Sequence, residues 1–365
     1  DQKGNLGFLY NGRIPARADD TDYRLVQTAN GANEWAGWFY GLKGRGVLPS
    51  ILNPASGFLI SANEAPWFVS SSGEVAGRES WPNFVVPPTG WGAGATVRGE
   101  RLRELIGGPD KRLRFEEAGA LPFDVQLPKA HSFIGQCLSN YEKKNSPTLS
   151  IKAAEVQQLL AAWDGRASAD SPGMTAAFYL VKNLGPWADT AEAAAAVDEQ
   201  DAPDAAAYAT ALESAARQMQ QNYGRTSIPW GEIHGMAVGG QWIPLSGGTD
   251  FLPAIFQAHA GEDAGTDKLG GDGKIRCSAG SVYLAITRFA RDGKMERYSI
   301  GPNGQHNPQV WPESPHCRDQ APLFAAGRYK RFFLNEDELQ SNLTPYEGQP
   351  GYAWKARKEI ELVGE

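Results

Sequence analysis

Hydrophobic residues change their spacing along the chain, and these changes separate sheet-like from helical segments. From Gly7 to about Ile60, short apolar runs are interrupted by Gly, Pro and Asn, a pattern typical of strands joined by loops. Asn11-Gly12 within this segment predicts a tight turn. After Arg98 the apolar positions recur at helical spacing until the run Gly107-Gly108-Pro109, so the sequence predicts a short helix there.

The middle of the chain has helical periodicity. Ser150 is a good N-cap, and the helix predicted after it has an apolar stripe on one face. That stripe consists of Ala153, Val156, Leu159, Leu160 and Trp163. A second, alanine-rich helix is predicted from about Ala205 toward Asn222, with Asp204 as its N-cap. Residues 111–225 are therefore predicted to form a helical subdomain.

Strand signals return after Gly224. The run Ser281–Phe289 is rich in residues that favour strands, and Arg291–Lys294 predicts a hairpin turn before a second strand at Met295–Ile300. A sheet-rich, helical, sheet-rich order predicts one α+β domain with a helical insertion. We therefore divide the chain into sheet-rich residues 1–110, helical residues 111–225 and sheet-rich residues 226–365.

Composition and charge exclude several classes of protein. With 42 acidic and 35 basic residues the net charge is -7, so no polycationic surface is predicted and nucleic acid is not an expected partner. The apolar runs are far shorter than the ~18 residues that span a bilayer, and no membrane span is predicted. Cys137, Cys277 and Cys317 allow at most one internal disulfide and lack zinc-site spacing. The start at Asp1 has neither Met nor a signal-peptide pattern, which favours a processed chain or a fragment.

The usual catalytic motifs do not occur: the sequence has no G-x-S-x-G, no H-E-x-x-H and no P-loop. Ser314, His316 and Asp319 lie within six residues, but triad members ordinarily come from distant positions, so we interpret them as part of a tight loop. Gly270–Gly273 is interpreted as a turn rather than an anion cradle. The acidic stretch Asp189–Asp204 is interpreted as a solvated face or loop rather than a metal site.

Several runs occur in the order that a known enzyme family uses. The most specific begins at Asn53-Pro54-Ala55-Ser56-Gly57 and ends at Ala62-Asn63, close to the pattern N-P-x-x-G-x-I-x-x-A-N. The others are Asp1-Gln2-Lys3-Gly4-Asn5, Gly12-Arg13-Ile14-Pro15-Ala16-Arg17, Trp35 with Leu48-Pro49, Arg98-Gly99-Glu100-Arg101-Leu102, Trp163-Asp164-Gly165 with Ser171-Pro172-Gly173, and Gly304-Gln305 with Ser314-Pro315-His316 and Asp319-Gln320. Together they resemble the penicillin acylase family of N-terminal-nucleophile amidohydrolases, in the C-terminal part of its catalytic β-chain.

The resemblance implies a fold, an activity and partners. The fold is α+β, part of the αββα sandwich of N-terminal-nucleophile hydrolases with an inserted helical subdomain. The activity is hydrolysis of the amide between an apolar acyl group and an amine, in a β-lactam, an acyl-homoserine lactone or a related N-acyl compound. The nucleophile is an N-terminal Ser, Cys or Thr upstream of Asp1. The partners are the α-chain and the N-terminal part of the β-chain of the same precursor, and the compartment is periplasmic or secreted.

The resemblance also assigns roles to particular residues. Asn63 matches the asparagine whose amide donates to the oxyanion, and Arg98 matches an arginine that organises the site. Trp67 and Phe68 are candidates to line an acyl pocket, with core packing as the alternative. Glu74 falls near the family's metal-ligand aspartate, which implies a structural calcium ion as an option, although no cofactor is required. The alternative function is a non-catalytic subunit that keeps the fold as a scaffold or binds a ligand.

Overall fold

The computed structural model describes most of the chain in two compact units. The described residues are 1, 3–18, 25–26, 34, 37–39, 48–71, 73–85, 94–108, 110–142, 146–184, 202–238, 240–249, 251–259, 269–302 and 320–341. The first unit holds those up to Arg114, and the second holds those from Phe115 onward. Ser314, His316, Asp319, Cys317 and the acidic stretch before Ala202 lie outside the described residues.

The strands of the first unit form two antiparallel pairs. These strands are β1 (Gly7–Leu9), β2 (Ile14–Pro15), β3 (Trp38–Phe39) and β4 (Ser50–Leu52). β1 pairs with β4, so that Phe8 lies opposite Ile51, and β2 pairs with β3. Asn11-Gly12 therefore connects strands of two different pairs instead of forming a hairpin, because β1 takes its partner from some forty residues further along the chain.

The first unit also contains the predicted helix, α1 (Val97–Ile106). Its N-cap is Thr96, whose hydroxyl accepts the Gly99 N–H, and the helix ends at Gly107, which has φ 73°. This ending confirms the predicted glycine stop, since a left-handed φ is adopted most easily without a Cβ. A small core lies nearby, built on buried Ala65, Trp81 and Val85; half-buried side chains that pack on it include Tyr10, Ile14, Phe39, Trp67, Phe68 and Phe84.

The second unit contains most of the helices. They are α2 (Phe115–Ala120), α3 (Pro128–Tyr141), α4 (Ile151–Ala161), α5 (Pro172–Asn183), α6 (Ala205–Tyr223), α7 (Trp230–Ile233), α8 (Ala321–Ala325) and α9 (Glu336–Ser341). Both predicted N-caps are confirmed, since the Ser150 hydroxyl accepts from Ala153 N–H and the Asp204 carboxylate accepts from Ala206 and Ala207 N–H. In the described part of the chain, no helix is long and apolar enough to cross a membrane.

α5 forms the centre of the helical core. Every residue from Gly173 to Val181 is buried, and α4 and α6 pack against this helix. Ala153, Val156 and Leu160 of the predicted stripe are buried in α4, whereas Leu159 is half-buried and Trp163 is buried just beyond the helix end. The apolar face at helical spacing thus matches the face that α4 buries, as expected when hydrophobic burial is the dominant favourable term in packing.

The strands of the second unit form small sheets beside the helices. They are β5 (His234–Val238), β6 (Gln241–Pro244), β7 (Ala258–His259), β8 (Ile275–Arg276), β9 (Ala279–Gly280), β10 (Leu284–Phe289), β11 (Met295–Ile300) and β12 (Lys330–Phe332). β10 and β11 form the predicted hairpin, closed by the bond from Ala290 N–H to Lys294 C=O. Gly270–Gly273 forms the predicted turn, in which Gly273 N–H donates to Gly270 C=O. Helices and mainly antiparallel sheets in one chain confirm the α+β class; the three-part division of the domain stays a prediction.

Candidate active site

The segment from Asn53 to Asn63 begins with a turn that is anchored to Leu6, the residue directly before β1. The Asn53 side-chain oxygen accepts the Leu6 N–H at 2.9 Å, and the Asn53 N–H donates to Leu6 C=O at 2.7 Å. Asn53 has φ 52° and Gly57 has φ 76°, and both residue types tolerate this left-handed region better than others. The pattern N-P-x-x-G is thus explained by backbone geometry at the start of the segment.

Asn63 ends this segment in an exposed position with φ 58°. Asn53 and Asn63 are the residues other than glycine with a positive φ in the described part of the chain, and such a conformation costs on the order of 1 kcal/mol. The N-cap and the first turn of α1 hold the preceding residue: the Thr96 hydroxyl donates to Ala62 C=O at 3.0 Å, and Arg98 Nη2 donates to the same oxygen at 3.3 Å. The N-terminus of α1 therefore fixes the backbone at Asn63.

Arg98 also fixes the side chain of Asn63. Its Nη2 donates to Asn63 Oδ1 at 2.8 Å. A guanidinium has only donors, so it can meet the oxygen of the amide but not the NH2 group. The amide is therefore oriented with Nδ2 away from Arg98, and Nδ2 has no hydrogen-bond partner among the residues that the structure describes. The structure brings the two predicted site residues together across 35 positions of sequence.

Sequence reasoning missed an ion pair formed by Glu64, the residue that directly follows Asn63. The Glu64 side chain is 1% exposed, and its carboxylate accepts from Arg103 Nη1 at 2.9 Å and Arg103 Nη2 at 2.8 Å. Thr96 N–H donates to the same carboxylate at 2.8 Å. The helix approaches so closely that a Cβ added at Gly99 would lie 2.0 Å from Glu64 Oε1. No sequence signal links Glu64 to Arg103, because they are 39 positions apart on different elements.

Glu74 lies in a separate cluster of hydroxyl and amide groups. Its carboxylate accepts from the Ser70 hydroxyl and from the N–H groups of Ser56 and Ser71, both at 3.1 Å. The Ser70 hydrogen bond is the main reason that the pKa of Glu74 falls from 4.5 to about 2. Among the residues that the structure describes, no three His, Cys, Asp or Glu side chains are grouped as a metal site would require. The predicted metal role of Glu74 stays a prediction.

Trp67 and Phe68 are both half-buried and pack on the small core of the first unit. Their ring centroids are 6.2 Å apart, and the Arg103 guanidinium lies 5.9 Å from the Phe68 ring centroid. Core packing, the alternative left open by the sequence, is therefore present for both residues. Their role in lining an acyl pocket stays a prediction.

The fold and the site together define a class of protein. A neutral amide donor held rigidly at an exposed position is the kind of group that acyl-transfer enzymes direct at an oxyanion. The sequence profile of the family described as penicillin amidase matches residues 1–341 of this chain. The chain therefore belongs to the penicillin amidase family, and the family resemblance carried by its sequence runs is confirmed.

Individual relatives agree with the family profile. The chain is 25% identical over 181 residues to the penicillin acylase 2 proenzyme of Pseudomonas sp. (strain SE83), a match that covers 48% of this chain and 20% of that protein. The thermostable penicillin G acylase from Alcaligenes faecalis matches in structure with a TM-score of 0.51 at 16% identity, covering 94% of this chain and 65% of the other. The chain thus spans about a fifth of the curated relative, and the structural match supports the α+β fold.

Proposed function

We propose that this chain is part of an amidohydrolase that cleaves the amide bond between an apolar acyl group and an amine. The observation that carries the proposal is the hydrogen bond from Arg98 to Asn63 Oδ1, which leaves the Asn63 NH2 group exposed as a donor. A donor held in place needs no reorganisation when negative charge develops on the substrate, and removal of one such donor typically costs ~3 to 4 kcal/mol of barrier. Membership of the penicillin amidase family supports this assignment.

In the proposed reaction, the nucleophile is an N-terminal Ser, Cys or Thr on a part of the protein upstream of Asp1. Its hydroxyl or thiol attacks the amide carbonyl carbon, and its own α-amine takes the proton. The carbonyl oxygen becomes an oxyanion, to which Asn63 Nδ2–H donates. Collapse of the tetrahedral intermediate breaks the C–N bond, and the leaving amine takes the proton from the α-ammonium group. Water then attacks the acyl-enzyme, releases the carboxylic acid and regenerates the nucleophile.

Arg98 has two roles in this proposal. It selects the orientation of the Asn63 amide, because the opposite orientation would place two donors against each other. It also adds a positive charge within hydrogen-bond distance of the oxyanion donor, which favours the charged intermediate over the neutral substrate. A lysine at this position would keep the charge but would contact Ala62 C=O and Asn63 Oδ1 with a different geometry.

The proposal extends to the complete protein. We place this chain in the αββα sandwich of N-terminal-nucleophile hydrolases, with residues 111–225 as the helical subdomain and with the α-chain and the upstream part of the β-chain as partners. The substrate is a small N-acyl compound such as a β-lactam or an acyl-homoserine lactone, and Trp67 and Phe68 are candidate contacts for its acyl group. The compartment is periplasmic or secreted. No cofactor is required for the chemistry, and Glu74 is a candidate ligand for a structural calcium ion.

The first test combines mass analysis with a substrate screen on the complete protein that contains this chain. N-terminal sequencing is expected to identify a polypeptide that begins with Ser, Cys or Thr. Hydrolysis is then followed by release of 4-nitroaniline from a series of N-acyl-4-nitroanilides, from acetyl to decanoyl and phenylacetyl. If no such N-terminus and no hydrolysis are found, the non-catalytic scaffold takes the place of the amidohydrolase.

The second test removes the oxyanion donor. We expect Asn63→Ala and Asn63→Gly each to lower kcat about a hundredfold or more. Glycine accepts the φ of 58° without strain, so an equal loss in both variants identifies the amide, and not the backbone, as the important group. Asn53→Gly is the matched control, since Asn53 has φ 52° and bonds to Leu6 instead, and its kcat should stay within twofold of wild type. An unchanged kcat in the Asn63 variants would refute the oxyanion assignment.

A further inference from the structure

The Glu64–Arg103 ion pair is formed by the residue that directly follows the proposed oxyanion donor Asn63 in the chain. We infer that Glu64 and Arg103 are positioning residues, which hold Asn63 in its left-handed conformation and so direct its amide at the reacting carbonyl. The inference rests on the proposed function, because it names what positions the donor of that site.

The backbone at Asn63 needs such support. A non-glycine residue with φ 58° is strained, and strained residues persist only where the surroundings over-determine them. On the N-terminal side, Ala62 C=O accepts from Thr96 and Arg98. On the C-terminal side, the anchor is the Glu64 carboxylate, which accepts from both Nη atoms of Arg103. Asn63 is thus held between two fixed neighbours.

Both anchors belong to the same helix. The Thr96 hydroxyl donates to Ala62 C=O while the Thr96 N–H donates to Glu64 Oε1, so the N-cap residue of α1 contacts the residues on both sides of Asn63. Arg103 Nη1 additionally donates to Phe68 C=O at 2.8 Å, which ties the chain after Glu64 to α1 as well. The segment from Ala62 to Phe68 is therefore held against α1 by these hydrogen bonds, and Glu64 supplies the one between two charged groups.

Burial makes this anchor difficult to replace. The Glu64 side chain is 1% exposed and that of Arg103 is 23% exposed, so neither water nor a mobile surface group can substitute for the carboxylate. Glutamine has nearly the same shape as glutamate but turns one acceptor into a donor, and three N–H donors already point at the carboxylate. Glu64→Gln must therefore shift the residue that follows Asn63.

The expected effect falls on catalysis more than on binding. The Asn63 amide acts on charge that develops only in the transition state, so a misdirected amide lowers kcat while KM changes little. We expect Glu64→Gln to lower kcat at least tenfold, with KM within threefold of wild type, for the N-acyl-4-nitroanilide that the complete protein hydrolyses fastest. Glu104→Gln is the matched control, since Glu104 is exposed on the same helix and forms an ion pair with Arg101 at 2.8 Å, and its kcat should not change.

A double-mutant cycle separates positioning from a general loss of structure. If Glu64 acts through Asn63, then adding Glu64→Gln to Asn63→Ala should change kcat by less than twofold, because no amide remains to be misdirected. If Glu64→Gln lowers kcat by the same factor in both backgrounds, or leaves kcat within twofold of wild type, the positioning role is refuted.

The same cycle distinguishes this inference from the proposed function. A normal kcat in Asn63→Ala would refute the oxyanion assignment itself, whereas a low kcat in Asn63→Ala with a normal kcat in Glu64→Gln would refute only the positioning role. Should Glu64→Gln fail to accumulate as folded protein, Arg103→Lys replaces it with the same criteria, because lysine keeps the buried charge paired but cannot make the two-nitrogen contact.

Discussion

Gly99 offers a sharp test of the contact between α1 and the segment that contains the site. The residue lies in the first turn of α1, in a normal helical conformation. Helix propensity alone predicts that Gly99→Ala stabilises the protein by about 1 kcal/mol, because alanine loses less backbone entropy on folding. The contact between Gly99 and the Glu64 carboxylate predicts instead that Gly99→Ala destabilises the protein.

The magnitude follows from the distances. A Cβ on Gly99 would lie 2.0 Å from Glu64 Oε1 and 2.3 Å from its carboxyl carbon, much closer than non-bonded atoms can approach each other. Glu64 cannot move aside without losing Arg103 and Thr96, and breaking a buried ion pair typically costs ~3 to 5 kcal/mol. After subtraction of the propensity gain, we expect Gly99→Ala to reduce the free energy of unfolding by about 2 to 4 kcal/mol.

The assay is urea unfolding of the complete protein with a matched substitution. Gly135 lies inside α3, is exposed, and would meet nothing within 4 Å if a Cβ were added. Gly135→Ala should therefore raise the free energy of unfolding by up to about 1 kcal/mol. If Gly99→Ala is as stable as wild type or more stable, α1 does not approach Glu64 this closely, and the helix does not position Asn63 through that residue.

Two further predictions concern acid stability and the helical core. The hydrogen bond from the Ser70 hydroxyl lowers the pKa of Glu74 in the folded protein from 4.5 to about 2. The ionised Glu74 carboxylate therefore stabilises the fold above pH 4.5, and this stabilisation is lost as the pH falls toward 2. Glu74→Gln should flatten the dependence of Tm on pH within that window, and an unchanged acid profile would contradict the hydrogen-bond cluster. Phe178 is fully buried in α5, so Phe178→Ala should lower the free energy of unfolding in urea by about 3 to 5 kcal/mol. Val282 is 57% exposed, so Val282→Ala should change the free energy of unfolding by no more than about 0.5 kcal/mol. Equal losses in the two variants would contradict the packing of α5.

Helices and their caps could be predicted from the sequence because their determinants are local. Ser150 and Asp204 cap α4 and α6 as expected, and the apolar stripe of α4 faces the core. The hairpin of β10 and β11 could also be predicted, since a short turn joins strands that are neighbours in sequence. In each case the residues that make the prediction possible, namely the cap, the periodic apolar positions or the turn, lie close together along the chain.

Strand pairing in the first unit could not be predicted in this way. Asn11-Gly12 has the composition of a hairpin turn, but β1 pairs with β4 and β2 pairs with β3. Short strands contribute few hydrogen bonds, so distant segments and the core beneath them decide which pairs form. Turn chemistry alone does not contain that information.

The sequence by itself determined the family and the α+β class, and it predicted Asn63 and Arg98 as site residues, because sequence runs and periodicity are properties of the chain. Only the tertiary structure decided how these residues act together. The orientation of the Asn63 amide depends on a guanidinium 35 positions away, and its backbone is held by Glu64 and an arginine 39 positions away from that carboxylate. Such contacts arise from the docking of α1 against the segment, and no local pattern of residues specifies them.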